Sequence, residues 1–543
     1  MIDLWKGGNH MLTIRDLTLP AAQDASALWA LAARALKVPA SELSALVIRK
    51  KSLDARKKDD IRYIYTVDVS TRHSEARTLK QCRNPKVSLA KPFVYRIPKC
   101  KTPPELRPVV VGFGPAGMFA ALYLARAGLR PIVLERGLDA ETRQKKVREF
   151  WESGRLDPDC NVQFGEGGAG TFSDGKLNTG TKNERIGWIL EQLVRFGAHE
   201  DILYDAKPHV GTDVLVHVVQ NLRREIERLG GEVRFAHKLT GLVQEGGVLT
   251  GIELESPAGP QILACRQLIL APGHSARDTF ERLLAQDVPM EPKPFSMGVR
   301  IEHRQTAIND AQYGPDWQRL GLPPADYKLS VHLPEGGSAY TFCMCPGGHV
   351  VGAASEAGGV VTNGMSNQAR EGENANAAVL VTLQPEDFPD QSTLGGMYWQ
   401  RQIERRAFEA GGCNYCAPCQ TVGDFLAGRD GTVPGAVQPS YRPGVTPCDL
   451  HAVLPPQITG VLERALPEFG RKLRGFDDPE ALLTAPETRS SSPVRILRDD
   501  TLQSRLRGLY PCGEGAGYAG GIVSAAVDGL LCAEALATET VES

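Results

Sequence analysis

The stretch "VVVGFGPAGMFAALYLARAG", Val109 to Gly128, decides the fold. It leads from a Val-rich strand through a glycine turn into an amphipathic helix, and the strand that follows ends at Glu135. In this βαβ pattern Gly112 permits the tight turn, Gly114 lets the backbone approach a pyrophosphate, and Gly117 lets the helix pack on the strand. The acid at the second strand's end can accept hydrogen bonds from adenosine ribose hydroxyls and would repel a 2′-phosphate. The stretch therefore predicts a Rossmann-type site that suits FAD or NAD better than NADP.

A second stretch, "FGEGGAGTFSDGK" from Phe164 to Lys176, repeats the G-x-G-x-x-G spacing. The segment before it is polar rather than a buried strand, no helical pattern follows it, and Glu191 lies within a helix pattern instead of at a strand end. It is therefore not a second Rossmann fingerprint, and the chain predicts one dinucleotide rather than two. Its N–H groups and small side chains can still contact a flat ring or a phosphate. An ordinary flexible loop is the alternative.

The C-terminal stretch "GLYPCGEGAGYAGGIVSAAVDG" indicates which dinucleotide is bound. A strand ends at Gly513 and Glu514, and a helix of small residues starts near Gly521. A second acid at a strand end has little use for NAD alone, but it suits a longer cofactor whose ribityl chain passes the first turn. The positive end of the helix suits the pyrimidine edge of a flavin, where negative charge develops on reduction. One FAD in contact with all three loops is the prediction.

The whole chain predicts an α/β protein in four segments. Residues 1–100 indicate a small basic α+β domain, and 101–275 indicate the first part of a Rossmann-type FAD-binding domain, a parallel sheet with a β-meander. Residues 276–484, rich in Gly and Pro, indicate an inserted mixed α+β substrate domain, and 485–543 return to the FAD-binding domain with a strand and the C-terminal helix. At 543 residues the chain is long enough for several cores.

The charge distribution and the number of cysteines limit the cellular compartment and the partners that can be expected. The sequence has no apolar run of about 18 residues and no secretory signal pattern, so we expect a cytoplasmic protein with reduced thiols and no membrane partner. Either Met1 or Met11 can be the natural start. From Arg49 to Lys101 there are sixteen Lys or Arg and five acids, although the net charge of the chain is −2. This basic part can bind RNA or can dock on an acidic neighbouring domain, and docking is favoured because interleaved aromatic residues are few.

The motifs "FGEGGAGTFSDGKLNT", "LAPGHSARDTF", "TFCMCPGGHVV", "PETRSSSPVRI" and "LYPCGEGAGYAGGIVSAA" resemble a family of uncharacterised bacterial FAD-dependent dehydrogenases with an appended N-terminal domain and a glutathione-reductase-type FAD fold. The resemblance covers essentially the whole chain. Ala-Pro-Gly replaces the Ala-Thr-Gly of many flavoproteins, and Glu514 stands where many carry Asp. The resemblance supplies no substrate. With the fingerprint, it predicts FAD contacts at Gly112, Gly114, Pro115, Ala116, Gly117, Glu135, Arg136, Gly167, Gly168, Ala169, Gly170, Thr171, Ser173, Asp174, Ala271, Gly273, Gly513, Glu514, Gly521 and Ile522.

Substrate-side chemistry is less specified. Arg489 and Arg495 flank a run of serines and are candidates to bind an anion; solvated arginines at a domain junction are the alternative. Arg300, His303 and His332 are further candidates in the insertion, where a structural role is the alternative for each histidine.

Two groups of cysteines are notable. Cys413, Cys416 and Cys419 have C-x2-C-x2-C spacing, and Cys448 is a possible fourth ligand for an iron–sulfur cluster or zinc, with unligated thiols favoured. Cys343 and Cys345 alternate along a predicted strand and face one side. They are either a flavin-coupled dithiol or, as favoured, packed thiols.

The predicted function is that of an FAD-dependent oxidoreductase acting on an unidentified small molecule, with NADH or NADPH as a transient reductant. An RNA-binding or tRNA-modifying flavoprotein and a non-catalytic redox sensor are the alternatives. The sequence does not indicate an oligomeric state.

Overall fold

The first segment folds around an antiparallel sheet because its apolar residues alternate along the strands. The computed structural model describes residues 11–72, 74–91, 94–100 and 104–542, so Met1 lies outside the described residues. The elements of this segment are β1 (Leu12–Pro20), α1 (Leu28–Leu36), β2 (Leu43–Asp54), β3 (Arg62–Thr71), α2 (Glu75–Cys82) and β4 (Val87–Leu89). The strand order is β2-β3-β1-β4, and α1 packs into the same core as the inward residues of β1 and β3.

The second segment contains the fingerprint. Its elements are β5 (Val109–Val111), α3 (Pro115–Ala127), β6 (Ile132–Leu134), α4 (Ala140–Ser153), α5 (Arg185–Arg195), α6 (Thr212–Arg228), β7 (Glu232–Arg234), β8 (Lys238–Glu245), β9 (Val248–Ser256), β10 (Gly259–Ala264) and β11 (Leu268–Leu270). The strands β8 to β10 form the predicted antiparallel meander. Helix α4 has no counterpart among the predicted elements, because its sequence is mostly charged and shows little apolar periodicity.

The third and fourth segments complete the chain. Their elements are α7 (Arg277–Ala285), β12 (Met290–Pro292), β13 (Phe295–Arg304), α8 (Gln305–Tyr313), β14 (Ser330–His332), β15 (Ser338–Cys345), β16 (His349–Gly352), β17 (Thr362–Met365), β18 (Asn374–Leu383), α9 (Gly395–Ala410), β19 (Ala417–Thr421), α10 (Val422–Leu426), β20 (Val445–Pro447), α11 (Pro456–Lys472), β21 (Leu482–Glu487), β22 (Val494–Ile496), β23 (Leu509–Pro511) and α12 (Ile522–Glu542). A largely antiparallel sheet in the order β14-β15-β18-β13-β21-β19-β20 forms the insertion. Strand β21 ends three residues beyond 484, the predicted end of the insertion.

A parallel sheet in the order β23-β11-β5-β6-β7 positions the fingerprint. Strand β5 lies between β11 and β6, and the C-terminal strand β23 pairs with β11, so the chain returns to this sheet after the insertion. Helices α3 and α12 share the core on one face of the sheet. Gly529 permits their close approach, because a Cβ there would overlap the carbonyl of Ala116. The observed fold class is the predicted one.

The N-terminal module contacts both larger parts of the molecule through its β2–β3 hairpin. The amide of Lys51 donates to the carbonyl of Tyr204 at 2.7 Å, and the amide of Ala206 donates to the carbonyl of Lys51 at 2.8 Å. Ile61, which precedes β3, is buried in the core of the insertion. Part of the basic module therefore docks on its own chain.

Candidate FAD site and the cleft beside it

The fingerprint turn has the tight geometry that its glycines predict. Gly112 has a φ of +93°, and a Cβ there would overlap the carbonyl oxygen of Ala271 on the neighbouring strand. A Cβ on Gly117 would overlap the carbonyl of Gly112, so glycine is needed where α3 packs on the turn. Gly114 lies at the N-cap of α3, whose free N–H groups and positive end face the cleft. This end of the cleft is built for an anion such as a pyrophosphate.

Glu135 joins the two glycine loops. Its carboxylate is 5% exposed and accepts hydrogen bonds from the amide of Phe113 at 2.8 Å and from those of Gly137 and Gly165 at 2.9 Å each. The same carboxylate lines the cleft. The two loops therefore meet at one acid and form one site, as the sequence predicts.

The second glycine loop lies directly against the first. Gly168 has a φ of +60°, and a Cβ there would lie 2.9 Å from the Cα of Gly114. The loop continues as a short turn of 3-10 helix over Gly168–Phe172. It is buried and tied to the fingerprint, so the alternative of an ordinary flexible loop is wrong.

Arg143, which the sequence analysis missed, holds this loop in place. Its side chain is 0% exposed and donates to the carbonyls of Asn161, Val162 and Gly168 at 2.8 to 2.9 Å, and to that of Glu166 at 2.7 Å. Burial lowers its pKa to about 10, which still leaves the guanidinium charged at pH 7. An arginine inside a charged helix carries no sequence signal for such a role.

Most of the predicted FAD contacts line one continuous cleft. Those that line it are Gly112, Gly114, Pro115, Ala116, Glu135, Arg136, Gly168, Ala169, Gly170, Ser173, Asp174, Ala271, Gly273, Glu514, Gly521 and Ile522. Four others, Gly117, Gly167, Thr171 and Gly513, lie behind its wall, where they shape the loops. These four support the loops, and their direct contact with FAD stays a prediction.

The third loop brings a carboxyl group to the cleft. The amide of Gly513 donates to Asp528 of α12 at 2.7 Å, which fixes the turn that carries Glu514. Burial raises the pKa of the Glu514 carboxyl to about 7, and Lys293 opposes this shift. Gly521 and Ile522, at the start of α12, line the same part of the cleft.

The far end of the cleft belongs to the insertion. Its lining there comes from strands β15, β17 and β21 and the segment after β21: Phe342, Cys343, Cys345, Asn363, Gly364, Glu487, Arg489 and Ser490. Lys176, from the second glycine loop, also lines the cleft. The cleft therefore runs from the fingerprint to the insertion.

His274 also lines the cleft, although it was not among the predicted site residues. It follows the Ala-Pro-Gly turn, and the Ser275 hydroxyl lies 3.1 Å from its Nδ1. Burial lowers the pKa of its imidazole to about 3, with further lowering by the charges of Arg489 and Arg277. The imidazole is therefore neutral at pH 7 and able to exchange a hydrogen bond with a ligand.

Four of the five predicted substrate-side residues do not line the cleft; Arg300 is one of them, and the other three are as follows. His303 is buried in the core of the insertion, where its Nε2 lies 2.8 Å from the carbonyl of Phe476. His332 is exposed at the end of β14 beside Ser338, and Arg495 pairs with Glu291 across β22. These residues are corrected to structural or surface positions, because their partners lie within the insertion or at its base.

Two predicted arginines are paired with buried carboxylates. Arg300 is 0% exposed and donates to both carboxylate oxygens of Glu487, at 2.6 and 3.0 Å. Arg489 lines the cleft, but its guanidinium donates to Ser355 and, at 2.7 and 3.0 Å, to both oxygens of Glu404. The charge of Arg489 is thus already paired with that of Glu404, which disfavours the predicted role of Arg489 as an anion binder.

The predicted cysteine cluster does not converge. Among the described residues, the one group of three potential ligand atoms within 4.8 Å of one another is Cys512, Asp528 and Cys532, and Cys413, Cys416, Cys419 and Cys448 form no such group. Arg498 donates to both carboxylate oxygens of Asp528, at 2.7 and 3.0 Å, so this group already holds a cation of its own. Neither set supports a metal site.

The geometry fits FAD. Glycines hold the backbone of two loops where a Cβ would collide, a helix start faces the phosphate end, and carboxyl groups stand at two positions along the cleft. None of the helices formed by the described residues is long and apolar enough to cross a bilayer. The fold and site define an α/β protein that binds FAD at the carboxyl ends of a parallel sheet.

Comparison with known proteins gives the family. Residues 294–490 match the model described as FAD-dependent protein, C-terminal domain-like, and residues 11–70 match a domain of unknown function. An uncharacterised protein of Clostridium beijerinckii is 46% identical over 530 residues, which make up 96% of this chain and 98% of that protein. The chain belongs to the same family of FAD-dependent proteins.

Two more distant similarities were also found. A probable electron transfer flavoprotein-quinone oxidoreductase of Escherichia coli, YdiS, is 28% identical over 242 residues, 43% of this chain and 51% of that one. The structure of a geranylgeranyl bacteriochlorophyll reductase-like protein from Thermoplasma acidophilum is 14% identical, covers 80% of each chain and has a TM-score of 0.36.

Proposed function

We propose that the protein is an FAD-dependent oxidoreductase that transfers hydride or electrons between the flavin and a small molecule bound next to the insertion. One observation carries the proposal. The cleft that begins at the fingerprint continues without interruption to residues of the insertion, such as Phe342, Asn363 and Ser490. A cofactor that only stabilised the fold would not need the part of the cleft that the insertion lines.

The residues divide the work along the cleft. The start of α3 and the turn at Gly112 would hold the pyrophosphate, and Glu135 and Glu514 would accept hydrogen bonds from hydroxyl groups of the cofactor. When bound, FAD supplies the redox chemistry. The insertion covers the far end and limits the access of water, and His274 offers a neutral imidazole to a ligand at the wall.

A nicotinamide would bind only transiently. Among the described residues, the second G-x-G-x-x-G loop is used to support the first, and Gly168 touches Gly114 rather than a second nucleotide. We therefore propose NADH or NADPH as a reductant that binds, reacts and leaves. The docked N-terminal hairpin favours an internal role for the basic module over RNA binding. We expect the protein to act in the cytoplasm, which cell fractionation tests.

The test is an absorption spectrum of the purified protein, before and after anaerobic addition of NADH or NADPH. We expect an oxidised flavin spectrum, release of FAD rather than FMN on denaturation, and bleaching by one of the two reductants. Release of FMN, or a colourless protein that FAD cannot reconstitute, would falsify the proposal. Bound flavin that neither nicotinamide nor dithionite reduces would indicate a structural cofactor instead.

A further inference from the structure

Cys343 combines exposure with an interior position. Its side chain is exposed and lines the cleft, whereas the side chains of its neighbours Met344 and Cys345 are buried. Cys413, by contrast, is exposed and does not line this cleft. The wall that the insertion provides therefore carries two thiols, of which Cys343 is the exposed one and Cys345 the buried one.

The backbone holds Cys343 in an unusual conformation. Its φ is +40°, in the left-handed region that side chains other than glycine rarely adopt, and the pairing of β15 with β18 shifts register between Phe342 and Cys345. Arg300 donates to the carbonyl of Cys343 at 3.0 Å, and the Cys345 thiol donates to the same carbonyl at 3.2 Å. Glu487 pairs with Arg300 and so fixes the contact of Arg300 with the Cys343 carbonyl. These contacts stabilise the β-bulge at Cys343 that directs the thiol into the cleft.

Lys176 brings unbalanced positive charge to the same place. Its ammonium lies 3.2 Å from an Asp174 oxygen but, within the described part of the chain, makes no aligned hydrogen bond, and its nitrogen is buried. Asp174 is already paired with Arg370 through both carboxylate oxygens and accepts a hydrogen bond from Ser366. One carboxylate thus faces two cations, which leaves a surplus positive charge.

The thiol and the ammonium act on each other. The pKa of Cys343 is raised to about 12 by burial, and Lys176 is the largest influence that opposes this rise. Lys176 has the same opposing effect on the pKa of Cys345. All three side chains line the cleft, and the charge of the ammonium acts on both thiols.

We propose that Lys176 and Cys343 form the substrate end of the cleft, where Lys176 binds the anionic oxygen of a small organic carboxylate and the Cys343 thiol contacts the bound molecule. This inference rests on the proposed function and names the substrate class for it. A carboxylate supplies the charge that the Asp174, Arg370 and Lys176 group lacks, and it supplies acceptors for the free N–H bonds of Lys176.

Alkylation of the holoenzyme tests the pair, with iodoacetate as a small carboxylate and iodoacetamide as its neutral counterpart. Peptide mass spectrometry gives the rate at each thiol, and the ratio of the two rates is compared between Cys343 and Cys413. Each ratio compares the rates of two reagents at the same thiol. The slowing effect of the raised pKa of Cys343 on both rates therefore cancels. We expect the ratio at Cys343 to exceed that at Cys413 by about fivefold or more, as expected for one nearby positive charge. Lys176→Met should abolish the difference, whereas Lys145→Met, a change of an exposed lysine on α4, should preserve it.

Two outcomes would overturn the inference. If Cys343 is alkylated in the apoprotein but not in the holoenzyme, the thiol lies beneath the cofactor and does not face a substrate. If the ratio at Cys343 is unchanged in Lys176→Met, the lysine does not attract carboxylates. FAD content is measured in the same samples, so loss of the proposed function appears as a protein without reducible flavin and is distinct from either result.

Discussion

Replacing Gly168 with Val is expected to empty the FAD site while leaving the rest of the molecule folded. A Cβ at this position would lie 2.9 Å from the Cα of Gly114, and the φ of +60° is unfavourable for a side chain. The left-handed conformation costs about 1–2 kcal/mol for a residue with a Cβ. Overpacking adds about 1–3 kcal/mol. We expect the apoprotein of the variant to relieve this strain by moving the second loop away from the first.

FAD binding would bring the two loops back together, so most of this cost falls on the bound state. A penalty of about 2–5 kcal/mol corresponds to a loss of affinity of roughly thirtyfold to several thousandfold. The measurement is fluorimetric titration of apoprotein with FAD, with circular dichroism and a melting curve as checks on folding. Gly180→Val is the matched control, because Gly180 lies in the chain just beyond the loop and has no atom within 4 Å of its Cβ position.

The reasoning is refuted if Gly168→Val protein binds FAD with an affinity within about threefold of wild type and an unaltered spectrum. The contact between the two loops would then have no part in holding the cofactor. Equal loss of FAD in Gly180→Val would also refute it, because that change meets no neighbouring atom.

Further predictions concern buried acids and the nicotinamide. Glu135→Ala leaves three backbone N–H groups without their acceptor and should weaken FAD binding at least about tenfold; an unchanged dissociation constant would contradict the role given to this acid. The pKa of Glu514 is raised from 4.5 to about 7, so the folded apoprotein binds a proton that the unfolded chain has released, and its stability should fall as the pH rises from about 4.5 to 7. Glu514→Gln should remove that fall, as melting curves at pH 5 and 8 would show. Glu404→Ala should cost about 3–5 kcal/mol of unfolding free energy, because two buried arginines lose their shared partner, and urea denaturation measures it. Equilibrium dialysis should find FAD but no stoichiometric NAD(P) in the purified protein; a retained nicotinamide would show that a second nucleotide site exists.

The fingerprint was predictable because its constraints are local. The glycines of the β5–α3 turn are required by contacts within a few residues or with the adjacent strand, and their spacing alone expresses this requirement. The same holds for the 3-10 turn that leads into α1, which Asp24 caps by accepting a hydrogen bond from the amide of Ser26, two residues away. Short-range chemistry of this kind is visible in a sequence.

The partners of charged residues were not predictable, because they come from distant parts of the chain. The sequence around Arg489 suggests an anion binder, but its guanidinium pairs with Glu404, which lies 85 residues away in the chain. The pKa of His274 is lowered mainly by burial and by the charge of Arg489, which lies 215 residues away, although Arg277 of its own segment also contributes. The bulge that turns Cys343 into the cleft depends on the register with β18, which strand alternation alone does not fix.

The insertion leaves and rejoins the FAD-binding part at adjacent points. Strands β12 and β22 pair antiparallel, with Pro292 opposite Val494, and the amide of Lys293 donates to the carbonyl of Pro493 at 2.9 Å. The two ends of about two hundred residues thus stand one hydrogen bond apart. Such an insertion can become longer or shorter, or be replaced by another, without displacing β12 and β22, the two strands that connect it to the FAD-binding part. A protein with this architecture can acquire a different substrate when its insertion is replaced while its FAD-binding part stays the same.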